Sequence, residues 1–344
     1  MPTNSPPILL VQLGRLGDFI LATPMFRALK QAYPQCRIHV LASRHNAELA
    51  RLQPEVEHVQ VHSKKIFNTL TLLAAIKREH YDWWIDPKDH YSREGSFFAQ
   101  WASAERKVGF NQPGGKKIFE VSLASLEEQH THAAWRNLAA LRALGLAADD
   151  PRPSLFVGRA AQDALAQFLH AHGLARYLCV NLSAGNEIRY WPLAHWAAFL
   201  RAAQSEERAF VLIAEAKDAH VAQALTAQIA RTFYFPTRHL SDLLAAVERA
   251  ELVVSPDTSV IHVAAAFDRP VLGLYSNHEW NYKKFYPLST HCRVVLPPLR
   301  GGLIKDISCE SAVQSFHELL AEVADFTSKE QTSCKPNLGE RHTN

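Results

Sequence analysis

Short apolar strands alternate with amphipathic helices along this chain, and near the middle the alternation stops and begins again. Ile8 to Leu13 is a mostly apolar run that reads as a buried strand. The loop Gly14-Arg15-Leu16-Gly17-Asp18 follows, and then a helix to about Tyr33 with Met25, Phe26, Leu29 and Tyr33 on one face. Pro24 lies inside that helix, where it either kinks it or marks its true start. Further strands are expected at Arg37 to Ala42, Val56 to Val61 and Tyr81 to Asp86, with a helix over 67–79. The segment Asp149-Asp150-Pro151-Arg152-Pro153 is polar and proline-rich, and the pattern restarts behind it. Strands are expected at Tyr177 to Leu182, Phe210 to Ala214, Leu252 to Ser255 and Val271 to Tyr275. Helices are expected at Leu240 to Ala250 and Thr258 to Phe267, and a late one carries Val313, Phe316, Leu320 and Val323 in a stripe. Such alternation argues for α/β architecture with parallel sheets covered on both faces. The reading is of two Rossmann-like domains, residues 1–150 and 151–326, followed by a polar tail, 327–344, expected to be disordered. In such sheets ligands sit beyond the carboxyl ends of the strands, so the active site is expected in the cleft between the halves.

Composition removes several classes. Among 344 residues, 37 Lys and Arg against 34 Asp and Glu leave a charge of +3, too little to hold nucleic acid by bulk charge. No apolar run approaches the ~20 residues that span a bilayer. The first residues carry no basic segment of the kind that opens an export signal. Cys36, Cys179, Cys292, Cys309 and Cys334 are scattered, with none at CxxC spacing, so they read as free thiols in a reducing, cytoplasmic setting. Residues 1–150 hold 18 Lys and Arg against 15 Asp and Glu, so the positive excess lies in the first half.

Three loops at strand ends have the chemistry for a site. Gly14 to Asp18 is not a dinucleotide fingerprint, because GxGxxG is absent and the next strand ends at Ser43-Arg44 without a ribose-holding acid. It leaves Asp18 at a helix start, either as a cap or as a general base facing the cleft. In Ser255-Pro256-Asp257-Thr258-Ser259-Val260-Ile261-His262 a strand ends and a helix begins. Free backbone N–H groups at such a start bind phosphate, and His262, four residues after Thr258, lies on the same helix face. The alternative makes Asp257 or Thr258 a cap and His262 a core residue. In Asn181 to Pro192, small residues including Ser183 and Gly185 open a loop, and Arg189 is placed either to grip a diphosphate or to sit in solvent. Lys88, His90 and Arg93 follow the strand that ends at Asp86 and so face the expected cleft. Arg106, Lys107, Lys116 and Lys117 flank a Gly- and Pro-rich loop that suits an anionic acceptor, a membrane surface or plain solvent. No Asp-x-Asp occurs to carry a metal for a nucleotide diphosphate.

Taken in order, these segments resemble the ADP-heptose:lipopolysaccharide heptosyltransferases, glycosyltransferase family 9, from about Ile8 to Phe326. The resemblance lies in Leu16-Gly17-Asp18 with Thr23-Pro24, in Tyr81 to Asp86, in Gly109-Phe110, in Arg189-Tyr190-Trp191-Pro192 and above all in Asp257-Thr258-Ser259-Val260-Ile261-His262. It implies a GT-B architecture that binds the acceptor mainly on the first domain and the nucleotide-sugar on the second. It also implies inverting, metal-independent transfer with no cofactor beyond the nucleotide-sugar itself. The acceptor would be a lipid-linked oligosaccharide, met at the cytoplasmic face of the inner membrane with room for a peripheral contact. By position, Asp18 is the implied base, and Gly17, Lys88, His90 and Arg93 fall on the acceptor side. Ser183, Gly185, Arg189, Glu215, Arg238, Asp257, Thr258, Ser259 and His262 fall on the donor side. Ser259 stands where the family signature has glycine, and Arg189 where it has lysine. The same scaffold also serves nucleotide-sugar epimerases, hydrolases and non-catalytic binders, which stay open as alternatives.

Overall fold

Each half folds into one six-stranded sheet in which every pairing is parallel. The molecule is seen in a computed structural model that describes residues 7–123 and 132–333, with side chains through 326. The first sheet holds β1 (Pro7–Gln12), β2 (Arg37–Ser43), β3 (Val56–His62), β4 (His80–Ile85), β5 (Ser103–Gly109) and β6 (Val121–Ser122). The second holds β7 (Tyr177–Asn181), β8 (Ala209–Ile213), β9 (Thr232–Tyr234), β10 (Val253–Pro256), β11 (Val271–Leu274) and β12 (Cys292–Val295). The spatial orders are β3-β2-β1-β4-β5-β6 and β9-β8-β7-β10-β11-β12, the same order built twice. In each sheet the winding reverses beside the first strand, between β1 and β4 and between β7 and β10. Loops leaving the carboxyl ends of these four strands therefore splay apart and open a crevice.

Burial explains why the central strands lack alternation in sequence. β1 is buried along its whole length. Ile8 and Leu10 join one apolar cluster while Leu9 and Val11 join another on the opposite face. The first cluster continues through Leu165, Leu169, Leu244 and Ile261 of the second half, so the two halves share a core. Pro24 marks a helix start. The expected single helix is two, Leu16–Ile20 and Thr23–Ala32, and the Thr23 hydroxyl donates to the Ile20 carbonyl at 2.8 Å. The proline-rich segment is pinned rather than loose, because the Arg27 guanidinium donates to the carbonyls of Asp150 and Arg152.

One expectation about the tail needs amendment. The tail expected to be disordered from 327 begins as helix, since the last helix runs Cys309–Ser333. Each residue added to an existing helix gains a hydrogen bond without a new nucleation cost. Residues 334–344, and Cys334 with them, lie outside the described residues. Cys36, Cys179, Cys292 and Cys309 are free. Among the described residues no helix is long and apolar enough to cross a membrane.

Candidate active site

A cavity of about 610 Å³ lies where loops of the two sheets face each other. Gly17 and Asp18, from the β1 loop, line it on one side. Ser183, Gly185 and Arg189 from the β7 loop, and Asp257, Thr258, Ser259 and His262 from the β10 loop and its helix, line it on the other. Glu215 and Arg238, following β8 and β9, complete the second wall.

Asp18 is exposed to this space. It is the third residue of the helix Leu16–Ile20, and its Oδ2 accepts the Arg15 N–H at 2.9 Å. This bond engages one of the two carboxylate oxygens. A Cβ at Gly14 would lie 2.6 Å from that Oδ2, so the carboxylate needs glycine there. The helix Leu16–Ile20 packs directly on the helix Ser259–Ala266 of the other half. At the crossing, a Cβ on Gly17 would come within 3.2 Å of His262 Cδ2.

Across the cavity, Thr258 is the N-cap of the helix Ser259–Ala266, its hydroxyl accepting the Val260 N–H at 3.3 Å. The helix start, with its unpaired N–H groups and positive dipole end, opens on the cavity. Asn181 staples this start to the β7 loop. Its Nδ2 is 3.0 Å from Ser183 O, 3.0 Å from Ser255 Oγ and 3.2 Å from Thr258 Oγ1, and its Oδ1 accepts the Ser183 N–H at 3.2 Å. The Ser183 hydroxyl in turn accepts the Glu215 N–H at 2.8 Å.

Arg189 is held at the wall by Asp257. One guanidinium nitrogen donates to the Asp257 carbonyl at 2.9 Å and another lies 3.4 Å from its carboxylate. Burial pushes the Asp257 carboxyl up, and Arg189 and the Asn281 amide, which donates at 2.7 Å, pull it back. His262 is buried and its Nδ1 has no partner. Burial, reinforced by the charges of His132 and Arg189, pushes its imidazole down to about 3. The ring is therefore neutral near pH 7 and brings an N–H and an acceptor to the site rather than a positive charge. Arg189, Arg238 and the helix dipole make a wall suited to an anionic ligand, facing Asp18 and the neighbouring Arg15. Among the described residues, no group of three or more His, Cys, Asp or Glu side chains gathers as a metal ion would need.

A family model for glycosyltransferase family 9 (heptosyltransferase) matches residues 69–301. The chain belongs to glycosyltransferase family 9. Lipooligosaccharide heptosyltransferase 2 of Haemophilus influenzae is 26% identical over 356 residues, covering 92% of this chain and 99% of that protein. Among solved structures, a family 9 glycosyltransferase of Veillonella parvula matches with a TM-score of 0.80 at 19% identity, over 93% of this chain and 100% of its own. Escherichia coli ADP-heptose lipopolysaccharide heptosyltransferase II matches with a TM-score of 0.75 at 21% identity, over 92% and 99%. The fold is thus the GT-B arrangement of two Rossmann-like units, and the family is one of sugar-transferring enzymes.

The cavity gathers every donor-side residue expected of this family 9 glycosyltransferase, with Gly17 and Asp18. It does not gather Lys88, His90 and Arg93. The β4 loop carrying them is drawn aside by its acids. Asp86 is buried, and Asp89 is gripped by Arg136 and by Lys284 of the other half. Lys88 Nζ consequently donates to Ser92 Oγ at 3.3 Å, His90 turns to Asp89 at 2.7 Å, and Arg93 is exposed at the start of the helix Arg93–Trp101. Sequence reasoning passes over Arg15, Asn181 and Phe285, all of which line the cavity. Asn181 leaves a local trace, a polar residue closing an apolar strand. Phe285 leaves none, because it reaches the site from the helix Glu279–Phe285.

Proposed function

We propose that this enzyme moves a heptose or related sugar from ADP-heptose to a lipopolysaccharide core acceptor, with inversion and without a metal, and that Asp18 is the general base. The observation that carries this reading is the placement of the Asp18 carboxylate across one cavity from the capped helix start at Thr258 and Ser259. The names of the similar proteins supply the donor and acceptor classes.

A sugar hydroxyl is a poor nucleophile until its proton is taken. In the proposed step Asp18 accepts that proton while the hydroxyl oxygen bonds to the anomeric carbon. The bond from that carbon to the diphosphate oxygen breaks on the opposite face, and ADP leaves with one more negative charge. The helix start and Arg189 offset that charge, neutral His262 adds a hydrogen bond, and Arg238 stands toward the adenine. Ser183 and Gly185 leave space beside the diphosphate, and Glu215 stands toward the ribose. Gly17 faces the acceptor. A lipid-linked acceptor places the reaction at the cytoplasmic face of the inner membrane.

The test is to incubate the protein with ADP-heptose and heptose-deficient lipopolysaccharide. Asp18→Asn should lower turnover by at least ~10²-fold, the usual scale of general-base catalysis. Near-normal turnover in that variant removes Asp18 from the mechanism. Sugar released at an equal rate without acceptor replaces transfer by hydrolysis.

A further inference from the structure

Phe67 is the most exposed large apolar side chain among the described residues, at 86%, and its neighbours Ile66 and Leu70 stand at 77% and 58%. All three lie in the first turns of the helix Ile66–Arg78, whose opposite face enters the core through Leu72 and Ile76. This helix packs on the helix Arg93–Trp101, which holds Phe98 in the core and leaves Phe97 exposed. Lys64 Nζ reaches Glu94 Oε1 at 2.8 Å, which sets the two helix starts side by side. Leu72, Ile76, Phe98 and Ala99 belong to the core on this side of the sheet, and the exposed residues do not. An apolar patch of this kind on a soluble surface marks a contact.

The surroundings identify the contact. Lys65 directly precedes the patch, and Arg93 opens the neighbouring helix; both are exposed. Glu94, the acid nearest to hand, is already neutralised by Lys64. An aromatic and aliphatic centre with a cationic rim matches the interfacial layer of an anionic bilayer. A second copy of the chain fits less well, since a two-fold contact sets the same cations against each other. Both helices begin beyond the carboxyl ends of β3 and β4, and this is the edge of the first sheet from which Asp18 also projects.

We propose that Ile66, Phe67, Leu70 and Phe97, rimmed by Lys65 and Arg93, form a docking face for the surface of an anionic phospholipid bilayer. The apolar side chains dip among the headgroups while the cations meet lipid phosphates. The consequence for catalysis rests on the transfer reaction proposed above: docking by this edge turns the mouth of the cavity toward a lipid-borne acceptor.

The experiment sediments the intact chain with phosphatidylglycerol-containing vesicles and with pure phosphatidylcholine vesicles, without sugar nucleotide or acceptor. Its result is therefore independent of whether the transfer reaction is right. The wild type should bind the anionic vesicles and be released by about 0.5 M salt. Phe67→Ser with Leu70→Ser should weaken binding at least ~10-fold, as expected for withdrawing two apolar side chains from the interface, with the thermal midpoint unchanged. The proposal is overturned if the wild type does not bind, if binding is equal on neutral vesicles, or if the double variant binds as tightly. It is also overturned if the variant's only change is loss of a concentration-dependent dimer.

Discussion

His262 sits in the site as a neutral ring, and its burial makes stability depend on pH. The folded value of about 3 lies below the usual 6.5. As pH falls below 6.5, the unfolded chain takes up a proton that the folded one refuses, so stability is lost toward pH 3. His132, pushed down to about 4 chiefly by burial, acts in the same direction. Asp86 acts in the other. Burial pushes it up to about 6 from 3.8, so the folded chain keeps a proton that the unfolded one has lost, and stability falls as pH rises through that window. Two histidines outweigh one carboxyl, so urea midpoints should drop between about pH 6.5 and about pH 4.5. His262→Gln should flatten that drop and Asp86→Asn should steepen it; the same curves in both variants would refute this assignment.

At the scale of elements, most of the strands legible in the sequence are buried on both faces, while β3, an edge strand, shows itself through Val56, Val59 and Val61. β5 (Ser103–Gly109) was not legible, because Glu105 and Arg106 are exposed on it and only the two-residue β6 lies beyond it. A strand near an edge has no need of an apolar run. β9 and β12 are short, flank their sheet on one side only, and were missed for the same reason. The element junction that matters most is β7 with β10, where Asn181 holds both carboxyl-end loops. Asn181→Ala should cost ~1–3 kcal/mol, because it strips partners from buried polar groups. It should also raise the donor KM more than it lowers kcat, since the helix start loses its fixed position. Urea unfolding and steady-state kinetics on the variant check both.

Across the whole molecule, the halves are also latched by contacts separate from their shared core. Lys284 Nζ lies 2.5 Å from Asp89, and His132 Nε2 meets the Tyr286 carbonyl at 3.0 Å. Leu21, Ala133 and Ala134 pack with Phe285 and Leu288. Burial pushes the Asp89 carboxyl up, but the Lys284 hydrogen bond and the Arg136 guanidinium outweigh it and hold it well below the usual carboxylate range. Lys284→Met leaves Asp89 with Arg136, so the fold should survive at a cost of about 1 kcal/mol. The halves should then separate more freely, which X-ray scattering would read as a larger radius of gyration. Turnover should fall with it, because the transfer proposed above needs Asp18 and the Thr258 helix start brought together. An unchanged radius and turnover would show that the ion pair does not govern closure.

The doubled α/β pattern, the loops at Gly17-Asp18 and Thr258 to His262, and the resemblance to the family were legible along the chain. Each depends on residues near one another in the chain, where spacing alone sets which face is buried and where a helix begins. Tertiary structure decided what those loops meet. It set Asp18 opposite the second half's helix start, took the charge from His262 by burying it, and drew Lys88, His90 and Arg93 away from the cavity. That last displacement turns on Asp89 and Lys284, partners 195 residues apart. Local periodicity carries no record of such pairs, because their meeting depends on the path of all the chain between them.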